Sequence, residues 1–288
     1  MLETLVPVHF HYLNPVCEIM SRAPPATGRG RSFGFTLVEL LIVVAVIAIL
    51  ASLLLPVLSA ARAKSQQTAC VNNLRQLAAC WFMYANDNGS KYANNLPLVD
   101  LPTISNNWAL GNMQIPVQAT NAGFLERGEL FPYTTQPSLY HCPADPTRVS
   151  GTLRVRSYAM NSWIGNDYMP LGIGGVMQFV KEQGYRTFMT ENDTVFMGTS
   201  ALWVIGDEDE TTINDPWWLV TMDDSQPFRD SPATRHMHGY NLCFADGHVE
   251  RWTFRGTNSI RGVSANGPPN SDWIRLKRAT TLQLSLFP

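Results

Sequence analysis

Residues 29–58 read Arg-Gly-Arg-Ser-Phe-Gly-Phe-Thr-Leu-Val-Glu-Leu-Leu-Ile-Val-Val-Ala-Val-Ile-Ala-Ile-Leu-Ala-Ser-Leu-Leu-Leu-Pro-Val-Leu. No charged residue occurs between Leu40 and Leu58, a length close to the ~20 apolar residues with which a helix crosses a bilayer. One carboxylate, Glu39, stands at the head of the run, and Pro56 lies near its end, where a helix bend is expected. An unpaired acid inside a membrane costs ~2.5–3.5 kcal/mol, so Glu39 needs a partner.

Outward from this stretch the helical pattern continues. Ala61, Val71, Leu74, Leu77, Ala78, Trp81, Phe82 and Ala85 recur at three- and four-residue intervals, the spacing of one helix face. Asn86-Asp87-Asn88-Gly89 is a breaker cluster that ends it. A helix over residues 36–85 at ~1.5 Å per residue is roughly 75 Å long, more than twice a hydrocarbon core. Residues 35–58 are therefore read as the transmembrane part and residues 59–85 as a continuation packed on a globular head. The head, residues 86–288, is rich in Asn, Gly and Pro with short apolar runs, and strands are predicted at 153–160, 188–189, 201–205, 241–244 and 249–254. A short helix is expected at 176–183. The predicted fold class is α+β, a long N-terminal helix laid on an antiparallel sheet with long loops.

Gly34-Phe35-Thr36-Leu37-Val38-Glu39 resembles the cleavage and methylation site of type IV prepilins and type II secretion pseudopilins. The resemblance implies a leader over residues 1–34, cut by a prepilin peptidase between Gly34 and Phe35, with N-methylation of Phe35. It also implies that Glu39 attracts the free amine of a neighbouring subunit and that Pro56 is the helix-bending proline. Residues 1–19 lack the polar, basic character of 21–34, which makes Met20 an alternative start. The implied setting is a bacterial inner membrane, with a short cytoplasmic N-terminus, a periplasmic head and a fibre of the type II secretion or type IV pilus kind. Two other readings fit the same stretch: a secretory signal ending at Ser59-Ala60-Ala61, and an uncleaved anchor.

His236, nine residues, then Asp246-Gly247 resembles the C-terminal signature of a large pseudopilin-like group, as do Cys70 to Leu77, Cys142-Pro143 and Ser157 to Asn161. The group implies an architecture and no reaction. Physically, Asp246-Gly247 between apolar runs is a hairpin signal, expected as a tight primed turn. His236 is expected to meet Asp246 if the chain bends at His238-Gly239, with Asp207 as second choice. A metal set of Asp207, His236, His238, Asp246 and His248 is a further possibility, with zinc or calcium as the ion. The acids Asp207, Glu208, Asp209, Glu210, Asp215, Asp223 and Asp224 are read as a solvated loop.

The chain has 288 residues, 23 acids and 21 bases. Removing Glu3, Glu18, Arg22, Arg29 and Arg31 with the leader leaves 21 acids and 18 bases, without the basic patch that nucleic acid requires. Beyond the leader the cysteines are Cys70, Cys80, Cys142 and Cys243. Cys70 and Cys80 sit too far apart on one helix to bridge, and a Cys70–Cys142 disulfide is expected in an oxidising compartment. No nucleophile with a positioned base is evident, so catalytic residues and an enzymatic role are not predicted. Two other function classes remain open: a polysaccharide-binding surface built on Trp108, Trp163, Trp217 and Trp218, and a metal-dependent enzyme centred on His236.

Overall fold

The structure, a computed structural model, describes residues 34–97, 106–165, 184–222, 230–255 and 270–284. The leader before Gly34, Met20, the helix expected at 176–183, Asp223 and Asp224 lie outside these residues. The chain divides into two compact units, with the division between Ser52 and Leu53.

Helix α1 (Leu37–Asp87) contains both units' helical sequence without interruption, Pro56 included. Its large apolar side chains up to Leu58 are all exposed, from 46% at Val43 to 81% at Leu37. This is a helix long and apolar enough to cross a membrane. A different stripe begins at Gln67: Gln67, Cys70, Leu74, Leu77, Ala78, Trp81 and Ala85 are buried at helical spacing. Ala61, expected in the stripe, is exposed, and Val71 and Phe82 are only half-buried. The stripe is turned by the polar pair Gln67 and Cys70, which hydrophobic periodicity does not reveal.

The head is α+β. Short helices α2 (Pro116–Ala119) and α3 (Phe131–Thr134) lead to the small ribbon β1 (Arg148–Val149) and β2 (Thr152–Leu153). The main sheet follows with β3 (Tyr158–Asn161), β4 (Trp203–Asp207), β5 (Trp217–Trp218), β6 (Gly239–Phe244) and β7 (Val249–Thr253), while α4 (Glu191–Thr194) and α5 (Ser271–Arg278) complete the order. The strands lie in the sequence β5-β3-β4-β6-β7. All neighbours are antiparallel except β3 and β5, which run parallel, so the sheet is mixed where a wholly antiparallel one was expected. The run 153–160 divides into two strands, and 188–189 contributes only a single bridge, Ile164 to Phe188.

Strands β3, β4 and β6 are buried along their whole length, so both faces of the sheet are covered. Tyr158 and Asn241 face α1, where both donate to the Cys70 sulfur. Alternation puts Tyr240 and Leu242 on the opposite face, with Trp252, over which the Arg275 guanidinium of α5 lies at 3.6 Å. Trp203 is fixed on that side by its Nε1 donating to Thr280 Oγ1 at 2.8 Å.

The α1 stripe closes the core, so its truncation tests the packing. Leu77→Ala is expected to cost ~2–5 kcal/mol, and Met83→Ala, on the exposed face, less than ~0.5 kcal/mol. Denaturant unfolding of the detergent-solubilised full chain, followed by near-UV circular dichroism, checks both.

Candidate functional site

At the start of α1, Thr36 and Glu39 form a reciprocal cap. Glu39 Oε2 accepts from Thr36 N and Oγ1, each at 2.8 Å, and Glu39 N donates to Thr36 Oγ1 at 3.1 Å. This is a capping box, Thr-x-x-Glu, whose sequence signature was available in Thr36-Leu37-Val38-Glu39. The exposed acid therefore serves its own helix start.

The second site lies in the head, at the end of β4. Asp207, Glu208 and Asp209 are wholly buried and Asp215 nearly so, which corrects the reading of a solvated acidic loop. Burial of consecutive acids requires compensation for each. Glu208 is pushed well above the ordinary carboxyl range by burial and by Asp230, and its Oε1 accepts from Thr212 Oγ1 at 3.0 Å. Asp209 accepts from Thr211 N at 2.9 Å, and Asp215 from Trp217 N at 2.9 Å. Among the described residues, Glu208, Asp209 and Asp215 accept from local turns and join no group of metal-ligand side chains.

Asp207 instead faces basic groups. Its Oδ2 lies 3.1 Å from His236 Nε2 and its Oδ1 3.5 Å from Arg235 NH1. Arg235 reaches Asp145 at 3.1 Å, and Ser157 Oγ donates to the same Asp145 oxygen at 2.8 Å. Burial raises the Asp145 carboxyl, but Arg235, the bonds from Thr147 and Ser157, and Arg154 hold it below its ordinary 3.8. His236 is lowered by burial, yet the adjacent Asp207 carboxylate and Cys142 sulfur carry it up to about 9. His236 Nε2 also stands 3.2 Å from Cys142 Sγ. Hydrogen-bond geometry is met with the sulfur and not with the carboxylate, and neither Asp207 oxygen has a well-aligned donor.

His236 thus meets Asp207 and not Asp246. The bend does form: Met237 and His238 have φ of 48° and 61°, and His236 N donates to Gly239 O at 3.1 Å. Gly239 is needed because a Cβ there would overlap the Trp252 carbonyl. Asp246 is occupied locally, accepting from His248 N at 3.1 Å and pairing with the His248 ring. The hairpin is a three-residue loop with positive φ only at Gly247, not a two-residue primed turn. The expected metal set is therefore not assembled: His248 is half-exposed beside Glu250, and His238 packs edge-on against Phe254.

Among the described residues, the group of ligand types that converges is Cys70, Cys142, Asp207 and His236, with donor atoms all within 4.8 Å of one another. Cys70 and Cys142 are both buried free thiols, as are Cys80 and Cys243, where a Cys70–Cys142 disulfide was expected. Sequence reasoning brought those two cysteines together but separated them from His236, since three distant chain segments must fold before the set exists. Trp108, Trp163, Trp217 and Trp218 are buried, and their ring N–H groups donate to the Pro216, Val220, Ser162 and Asp230 carbonyls. They are core residues and present no stacking platform.

Residues 29–55 match the family described as the prokaryotic N-terminal methylation motif, and the N-terminal segment is of the prepilin type. Over 68 residues the chain is 46% identical to the type IV wide pilus major component PilA4 of Thermus thermophilus, covering 24% of this chain. The match spans about half of that relative, 52% of its length. No solved structure matches the chain.

Two outcomes follow from the buried cluster. Asp145→Asn leaves Arg235 without its nearest charge partner and is expected to destabilise the fold by ~3–5 kcal/mol. Because the Asp145 carboxyl is depressed, its contribution is complete above its unfolded value near 3.9 and is lost as pH falls through the folded value. The variant's unfolding free energy should accordingly be flatter than the parent's below pH ~4. Replacing Met237→Asn together with His238→Gly relieves two left-handed residues and is expected to stabilise by ~1 kcal/mol or more, read as a raised denaturant midpoint.

Proposed function

We propose that this chain is a pilin-like structural subunit, cut between Gly34 and Phe35 by a prepilin peptidase, N-methylated at Phe35 and assembled through its N-terminal helix into a filament. The observation that carries the reading is the match of residues 29–55 to the N-terminal methylation motif, on a helix start whose apolar side chains are exposed. The named relative is a pilus component, which favours a type IV pilus-like filament over a secretion fibre. Before processing and assembly the chain is held in the bacterial inner membrane with its head in the periplasm.

The mechanism rests on solvation. In lipid, an unpartnered acid is costly, and the Thr36 cap keeps Glu39 partnered within one subunit. Cleavage creates a new amine at Phe35, four residues before Glu39. A neighbouring subunit's amine can then replace the weaker neutral donors with a charge-assisted bond. Apolar helix surfaces become a filament core and the heads form its outside, a structural role without chemistry.

Gly34→Ala is expected to block processing, leaving an N-terminus upstream of Phe35. Glu39→Leu should yield a processed, membrane-held protein absent from sheared filaments. N-terminal sequencing together with immunoblotting of membrane and filament fractions reads both outcomes. A wild-type N-terminus at Ala61 or Arg62, or filaments that incorporate Glu39→Leu normally, overturns the reading.

A further inference from the structure

We infer that Cys70, Cys142, Asp207 and His236 form a structural zinc site that ties α1 to the sheet. The inference uses Cys70 from the second part of α1 and three head residues, and does not depend on how the N-terminus is processed.

The donors come from four separated segments: the second part of α1, the loop at Cys142, the end of β4 and the bend before β6. All four residues are buried, and their ligand atoms fall within 4.8 Å of one another. Tetrahedral zinc with bonds of ~2.0–2.3 Å separates its donors by roughly 3.3–3.8 Å. His236 Nε2 lies 3.2 Å from Cys142 Sγ and 3.1 Å from Asp207 Oδ2, close to that spacing, and the widest pair, within 4.8 Å, needs to draw in by about 1 Å. One imidazole nitrogen facing a sulfur and a carboxylate oxygen at nearly equal distance is an awkward hydrogen-bond arrangement. It is the ordinary arrangement of three ligands around a common ion.

Further observations point to the same place. Both Asp207 oxygens are buried without a well-aligned donor, an expensive condition unless something else serves them. The Cys70 sulfur accepts from Tyr158 OH and from Asn241 Nδ2, each at 3.1 Å, and Gln67 Nε2 donates to Asn241 Oδ1 at 2.7 Å, which orients that amide. Two donors aimed at one sulfur fix its orientation, the kind of outer support that a metal-binding cysteine receives. A disulfide accounts for Cys70 and Cys142 but not for a buried carboxylate without a well-aligned donor or for the shared imidazole nitrogen.

The donor set selects the ion. Two thiolates and an imidazole are soft or borderline ligands that suit zinc and exclude calcium, which takes oxygen donors. Two thiolates and one carboxylate carry three negative charges against the two positive charges of zinc, and Arg235 and Arg154 together balance the remaining charge and that of Asp145. Four protein ligands close the coordination sphere, which marks a structural rather than a catalytic ion.

The test uses the detergent-solubilised full chain, purified without a histidine tag and under argon. Elemental analysis is expected to find about one zinc per chain, retained through gel filtration. Cobalt(II) exchanged into the chelator-stripped protein should give tetrahedral d–d bands and a sulfur-to-cobalt charge-transfer band, a readout that requires no variant. Cys142→Ser and Asp207→Asn should lose most of the metal, while Cys243→Ser and Asp246→Asn keep it. Chelation should lower the melting temperature and expose two additional thiols to a thiol reagent, both restored by zinc chloride. A Cys70–Cys142 disulfide found by non-reducing peptide mapping of the metal-free protein overturns the inference. So does a reduced protein that neither binds cobalt nor shifts its melting temperature with added zinc chloride.

Discussion

The head depends on one constraint: charges taken out of water must find one another. Asp207, Glu208 and Asp209 follow consecutively from β4 into the interior. Left uncompensated, each would cost several kcal/mol. Arg235 and His236 from the bend before β6 and the turn donors at 211 and 212 are drawn to them, while Arg154 from the segment before β3 pairs with Asp145. The same demand brings Cys142 and, through Tyr158 and Asn241, Cys70 of α1 into one neighbourhood. Polar complementarity thus sets the register in which the helix meets the sheet, and apolar packing fills the rest.

Strain is concentrated at that point. Met237 and His238 occupy left-handed conformations in succession, where L-residues other than Gly, Asn and Asp are disfavoured. The fold retains them because the bend aims His236 inward while letting β6 run directly back along β4.

The other unit has the opposite character. From Leu37 to Leu58 the helix exposes apolar side chains on every side, and its one acid is held by the Thr36 cap. Such a surface is stable only in lipid or against other apolar helices. A lipid environment and lateral packing against like helices are therefore two answers to the same solvation problem.

Much of this was legible in the chain itself. The apolar run, Glu39, the Gly34-Phe35 junction and the helical stripe through Leu74, Leu77 and Trp81 are local patterns, since helix periodicity and membrane length act between near neighbours. The sequence by itself therefore determined the long helix, its membrane-compatible part, the prepilin-type start and an α+β head. Tertiary structure decided which partner each polar group obtained. Asp207 replaced Asp246 as the partner of His236 because Asp246 was already engaged by His248 one turn away. The acidic run became core because Arg235 and His236 met Asp207 and local turns met the acids after it, and the four tryptophans became packing because backbone carbonyls met their ring N–H groups there. No local pattern records a contact between residues 70, 142, 207 and 236, because the energy that unites them exists only after those segments have folded together.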